Sequence, residues 1–311
     1  MDDKNNATKH TTNIGNKRVL RVIYRVFLSA VFIIIGLAFT ACSSMMSSVT
    51  SPLMRNLTKA VNKQSDPELV RNGAAAYLLL IDGLIENDPK NEQLLLAGAN
   101  LYGAYNSAFI SDQDRERSKL LTEKAKDYSF RALSSRNRSF SRACNLPFEQ
   151  FQECLQTFTK DDVPYLFIAI SSWAAWVQAR TDNWDAIADV AKIRALNEKL
   201  LQLNDAYYYG SPHLIMGVLY TILPPDLGGK PEEAKKHFEK AIEIGKGKFF
   251  PAYILYAKQY ARTVFDKTLY NKLLEYVIET PADIDPEIIL INTLAKQNAK
   301  KLLEDGNQYF D

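Results

Sequence analysis

Apolar residues recur at intervals of three and four over long stretches, from Leu69 to Ile85, Leu94 to Phe109, Leu166 to Ala179, Trp184 to Leu203 and Ile288 to Leu303. This is the period of an α-helix with one buried face, and it predicts helices over each stretch. Alternating runs joined by Asn-Gly or Asp-Gly turns do not occur, so no sheet is expected. The helical stretches are separated by strong breakers: Asp88-Pro89, Leu146-Pro147, Val163-Pro164, Ser211-Pro212, Pro224-Pro225 with Gly228-Gly229, Phe250-Pro251, Pro281 and Pro286. About a dozen helices of ordinary length fit between them.

The helices repeat. In a hairpin repeat of about 34 residues, small residues at positions 8, 20 and 27 let two antiparallel helices approach, and bulky residues at 4, 11 and 24 fill the gaps. Gly217 and Tyr220 take positions 8 and 11, and after a short insertion Ala234, Phe238 and Ala241 take 20, 24 and 27. The next unit follows without a gap, with Ala257, Tyr260, Leu269, Leu273, Tyr276 and Pro281, although Leu269 and Tyr276 are large for their places. Nearer the start, Ile81 and Pro89 lead into Leu95, Ala99 and Tyr102, and after a long charged insertion Ala125 and Ala132 complete that unit. The expected fold is all-α: stacked antiparallel helix pairs in a tetratricopeptide-like superhelix with insertions, over residues 60–311. Such pairs bury their faces only against their neighbours.

The beginning of the chain has a different pattern. Residues 1–41 carry six bases (Lys4, Lys9, Lys17, Arg18, Arg21, Arg25) and two acids, followed by the uncharged run Val26 to Ala41. Sixteen apolar or small residues fall short of the ~20 that span a membrane. A basic stretch, a short apolar stretch and small residues before a cut describe an export signal over 1–41. Phe39-Thr40-Ala41-Cys42 resembles a bacterial lipobox, with Phe39 where Leu, Val or Ile is usual, so Cys42 is the expected lipidation site. The serine-rich stretch that follows reads as a polar tether over 42–59. Acyl chains such as palmitate, at roughly 0.8 kcal/mol per buried methylene, would hold the body on a membrane surface. The expected location is therefore the periplasmic side of a bacterial membrane.

Charge now has to be counted in two parts. The net charge of +2 combines this basic leader with a remainder of 32 bases and 34 acids. Such a body lacks the basic footprint of a nucleic-acid-binding domain. Its chemistry is sparse: His10 lies in the leader, and only His213 and His237 remain, without HExxH, GxSxG or phosphate-loop motifs. Glu232-Glu233 and Asp161-Asp162 stand where helices begin, which the helix dipole favours. Gly228-Gly229 and Lys230 read as a turn before a helix with Pro231 at its first position. No enzyme activity, cofactor or metal is expected. Cys144 and Cys154, ten positions apart, are compatible with a disulfide in an oxidising compartment and equally with two buried thiols.

Aromatic residues are the candidate binding chemistry. Trp173 and Trp176, like Tyr253 and Tyr256, are three apart and share one side of a helix. Tyr207-Tyr208-Tyr209 precedes Gly210 and lies close to His213, an unpatterned triplet that is hard to place in a core. Singly, rings of this kind fill gaps between helices. Together, the triplet and His213 are the leading candidates for a ligand or partner lining, with Trp173, Trp176, Tyr253 and Tyr256 as further members. A tyrosine hydroxyl or the His213 ring would orient a carboxylate while ring faces hold an apolar tail.

Three strings carry a family resemblance besides the lipobox: DPKNEQLLLAGANLYGAYNSAF (Asp88 to Phe109), SPHLIMGVLYTILPPDLGGKPEEAKKHFEKAIEI (Ser211 to Ile244) and LINTLAKQNAKKLL (Leu290 to Leu303). They resemble TatT, the T component of tetratricopeptide-repeat-associated TRAP transporters, over nearly all of residues 60–303. The resemblance implies a periplasmic lipoprotein that partners a substrate-binding P protein and, through it, an ion-gradient-driven permease. It also implies a homo-oligomer, with a trimer favoured, and a cleft for apolar or organic-acid ligands. The other class open to such a chain is an envelope-assembly or peptide-binding scaffold lipoprotein with no role in transport.

Overall fold

A computed structural model describes residues 56–110, 113–222 and 229–310. The expected signal, Cys42 and most of the tether lie outside the described residues. Among those described there is no strand. The chain forms α1 (Pro67–Asn87), α2 (Glu92–Phe109), α3 (Arg115–Arg136), α4 (Arg138–Ala143), α5 (Phe148–Phe151), α6 (Val163–Gln178), α7 (Trp184–Ala188), α8 (Val190–Asn204), α9 (Tyr207–Thr221), α10 (Pro231–Ile244), α11 (Phe250–Leu255), α12 (Lys267–Glu279) and α13 (Ile289–Phe310). A π-helical stretch, Tyr256–Ala261, continues α11. No helix among the described residues is long and apolar enough to cross a membrane.

Polar side chains set the helix starts. Asp66 and Asn91 accept from backbone N–H groups of the first turns of α1 and α2, and Asp114 and Asp266 do so for α3 and α12. Each satisfies donors that the first turn of a helix leaves free. Glu232 and Glu233 lie in the first turn of α10 behind Pro231, and Asp162 accepts from the Thr159 N–H at 2.9 Å. Much of the charged stretch expected as an insertion before Ala125 is helix, because the Asp114 cap starts α3 at Arg115. The single helix expected from Trp184 to Leu203 is split at Asp189, whose carboxylate accepts from Trp173 Nε1 at 3.0 Å and pairs with Lys192.

The hairpins are antiparallel, as their cross-helix pairs show. Between α1 and α2, Asp82 meets Tyr102 while Ile85 meets Gly98. Between α9 and α10, Gly210 lies against Ala241, His213 against His237 and Tyr220 near Lys230. The repeat positions form the core: Ile81, Ala99, Ala125, Ala132, Ala234, Phe238, Ala241 and Ala257 are all buried. At Gly217 an added Cβ would come within 2.7 Å of the Phe238 ring, so the ring occupies the space that the missing side chain leaves. Leu269 and Tyr276, the two large residues at small positions, are only partly buried. Helix α13 also touches α1, and Lys63 pairs with Glu287.

Candidate functional site

The tyrosine triplet is where the backbone changes hand. After Ala206, three consecutive residues are left-handed: Tyr208 (φ 42°, ψ 66°), Tyr209 (φ 59°, ψ 31°) and Gly210 (φ 75°, ψ 22°), before α9 continues as an ordinary helix. A left-handed residue that carries a Cβ costs on the order of 1–2 kcal/mol, and here two tyrosines bear that cost side by side. Gly210 is required twice, by its φ and by packing. A Cβ there would lie 3.1 Å from Ala241 Cα and 3.2 Å from Ile244 Cβ. The turn is fastened by Ser211 Oγ, which donates to the Tyr208 carbonyl at 2.6 Å, and by Asn197 Nδ2, which donates to the Pro212 carbonyl at 2.9 Å.

The turn builds an aromatic platform from distant segments. Phe167 of α6 meets Tyr207 edge-on at 5.2 Å and Tyr208 at 5.8 Å. Phe249, just before α11, stacks on Tyr209 at 5.2 Å and meets Tyr208 edge-on at 5.6 Å. The Tyr209 hydroxyl donates to Asp285 at 3.1 Å, and burial together with that carboxylate pushes its pKa up to about 12. Tyr207 is half-buried, whereas Tyr208 leaves 41% of its surface exposed. Burial, with Tyr207 beside it, raises the Tyr208 hydroxyl's pKa, so the arrangement offers the open part of Tyr208, backed by fixed rings, to an apolar or aromatic partner group.

His213 lies one turn further along α9, but its ring faces α10. Its Nδ1 is 2.8 Å from Nδ1 of His237, and Asp205 stands 3.7 Å from its Nε2. Burial lowers the pKa of His213 against the opposing pull of Asp205. Burial also lowers that of His237, and His213 adds to the effect. Both rings are therefore held toward the neutral form.

The other candidates stand elsewhere. Trp173 is buried among Phe130 and Phe151, and with Trp176 and Phe130 it surrounds the Lys126 ammonium, which lies 3.7 Å from the Trp176 ring centre. Burial lowers the Lys126 pKa, opposed by Asp189 and Glu123. The tryptophan pair thus flanks the chain's own cation. Tyr253 stacks on Tyr276 at 4.4 Å, while Tyr256 stacks on Phe238 at 5.4 Å and donates to Glu239. Both are buried, and they face different helices. Cys144 and Cys154 are free thiols, half-buried and buried, and burial pushes Cys154 up to about 11.

Phe167, Phe249 and Asp285 complete the platform without any sequence signal of their own. They come from three separate segments that only packing brings together.

Stacked antiparallel hairpins with a strained aromatic turn on one of them define a helical-repeat scaffold. A family model described as TRAP transporter T-component matches residues 63–310, and the chain belongs to that family. Its role is that of a T component, an accessory part of a TRAP transport system. No curated protein matches the sequence.

Proposed function

We propose that the protein is a lipid-anchored T component on the periplasmic side of a bacterial membrane, cut before and acylated on Cys42, which docks the substrate-binding P protein of its system through the platform around Tyr208. Family membership over residues 63–310 supports the transport role. One observation carries the docking surface: two tyrosines are kept left-handed where glycine or asparagine would relieve the strain, and one of them, Tyr208, keeps part of its surface open to solvent. Strain retained at an accessible position is a recurrent mark of function. The leader pattern and the Phe39 to Cys42 segment support the anchor. Self-association is part of the same reading, supported by exposed Leu69, Leu79 and Leu80 on α1, with the trimer taken from the resemblance alone.

Docking is tested with the soluble form beginning at Ser43 and the P protein of the same transport system, by sedimentation velocity at micromolar concentrations. A complex is expected. Tyr208→Gly tolerates the left-handed turn, so stability should stay within about 1 kcal/mol of wild type. Binding should weaken about tenfold, the size expected when an exposed aromatic anchor is removed. A complex of full strength with the variant would move docking away from the platform, and no complex with the wild type would remove the P-protein partner.

The anchor is tested separately. Cys42→Ser is expected to abolish incorporation of labelled palmitate in cells and to leave the leader uncut. Persistent labelling would place the lipid on another residue.

A further inference from the structure

His213 and His237 are the two histidines of the described residues, and they meet. Their Nδ1 atoms are 2.8 Å apart and their ring centres 5.1 Å apart. That separation of centres is close to the largest that two imidazoles can have at this nitrogen distance, so each nitrogen points straight at the other, as in a hydrogen bond. A metal ion held by both would need the two lone pairs to converge on a third point beside that line. Only one proton fits between the facing nitrogens, with one ring donating and the other accepting.

The pair occupies a decisive place in the hairpin. It lies between two close glycine contacts of α9 and α10, Gly210 on Ala241 and Gly217 on Phe238. Asp205, from the link between α8 and α9, and Lys240 of α10 act on His213. Glu233 of α10 acts on His237, and the Tyr220 ring packs on it at 5.6 Å. His213 Nε2 is buried without a hydrogen-bond partner, with the Asp205 carboxylate just beyond bonding distance.

We propose that the His213–His237 contact is an acid-sensitive latch between α9 and α10, closed while one proton lies between the facing nitrogens and opened when each nitrogen carries its own. The first added proton goes to His213, because Asp205 stands ready to receive its Nε2–H. His213 then donates Nδ1–H to neutral His237, and the bond becomes charge-assisted. A second proton, on His237 Nδ1, sets N–H against N–H and charge against charge. The helices must then part. Because the left-handed turn is the start of α9 and is wedged against Ala241 and Ile244, parting the helices disorders the Tyr208 platform.

The sign follows from the neutral rings. Both proton affinities are lowered in the folded protein, so the unfolded chain binds protons more readily there. The pair of neutral rings therefore contributes fully above the ordinary histidine value of about 6.5 and progressively less below it as the lowered folded values are passed, while the contact itself stays closed through the first proton and opens with the second.

The test follows the ring nitrogens of ¹⁵N-labelled protein by NMR from about pH 8 to about pH 5, the range in which histidines change charge. Amide hydrogen exchange of α9 and α10 is measured alongside. Two coupled protonation steps are expected, both below the ordinary histidine value. Exchange in α9 and α10 should accelerate about tenfold relative to α1–α3 at the second step. His237→Phe keeps a ring against Tyr220 and should abolish that acceleration. Independent titration of the two rings at ordinary values would overturn the latch, as would acceleration that persists in His237→Phe. Should that variant fail to fold, the wild-type ring signals decide by themselves.

Discussion

Replacing Phe238 with alanine is expected to destabilise the protein by about 3–5 kcal/mol, the range for deleting a fully buried phenylalanine. The side chain has no exposed surface, fills the space left by Gly217 on α9 and stacks on Tyr256 at 5.4 Å. It is thus the wedge of one hairpin and the contact to the next. Those neighbours cannot easily close the gap, since Gly217 has no side chain to move and Tyr256 is held through Glu239. Urea unfolding followed by circular dichroism should show a lower midpoint with an unchanged slope. A midpoint near that of the wild type would mean that this ring does not hold the repeats together.

Asp82→Ala is expected to cost about 2–3 kcal/mol, because it leaves several buried or half-buried donors without their acceptor. The Asp82 carboxylate, 19% exposed, receives the Tyr102 hydroxyl at 2.8 Å, the Tyr128 hydroxyl at 2.7 Å and the Lys124 ammonium. It joins α1, α2 and α3. The figure stays below that for a fully buried ion pair because Lys124 is partly open to solvent, which screens its share. Burial works against the charged carboxylate, but Lys124, Tyr128 and Tyr102 outweigh it and hold Asp82 below the usual carboxylate value. Its contribution is therefore complete above about pH 4–5 and is lost as pH falls through the folded value. Denaturant midpoints measured across that range should lose part of their acid slope in Asp82→Asn. An unchanged slope would show that the carboxylate is not the group responsible.

Acid thus acts at two separate places. The histidine contact between α9 and α10 responds first, near the histidine range, and the Asp82 cluster responds only at carboxylate pH. Hydrogen exchange resolved by helix separates them, since one change is confined to the Tyr208 hairpin and the other to the first three helices.

Much of this architecture was legible because it rests on local rules. A helix that must bury one face repeats its apolar residues every three or four positions. A hairpin that must close tightly places alanine and glycine where the helices cross, and Ala99, Ala125, Ala132, Ala234, Ala241 and Ala257 are all found in the core. The division at Asp189 was not legible in the local pattern, and the Asp189 side chain takes its bond from Trp173 on a different helix. The tryptophan pair is similar. Its spacing put both rings on one side of α6, but only the packing of α3 against α6 brought Lys126 between them.

The tyrosine triplet shows the boundary most clearly. Its sequence marked it as unlike core, and the following glycine permitted a change of backbone hand. Neither required two tyrosines to adopt it. That was decided by Ala241 and Ile244 pressing on Gly210, by Phe167 and Phe249 holding the rings, and by Asp285 taking the Tyr209 hydroxyl. By itself the sequence determined which segments are helical and in what register they repeat, since both depend on residues a few positions apart. Tertiary structure alone decided the hand of the Tyr208 turn and the meeting of His213 with His237, since each depends on groups tens of residues apart whose contact repays the local cost.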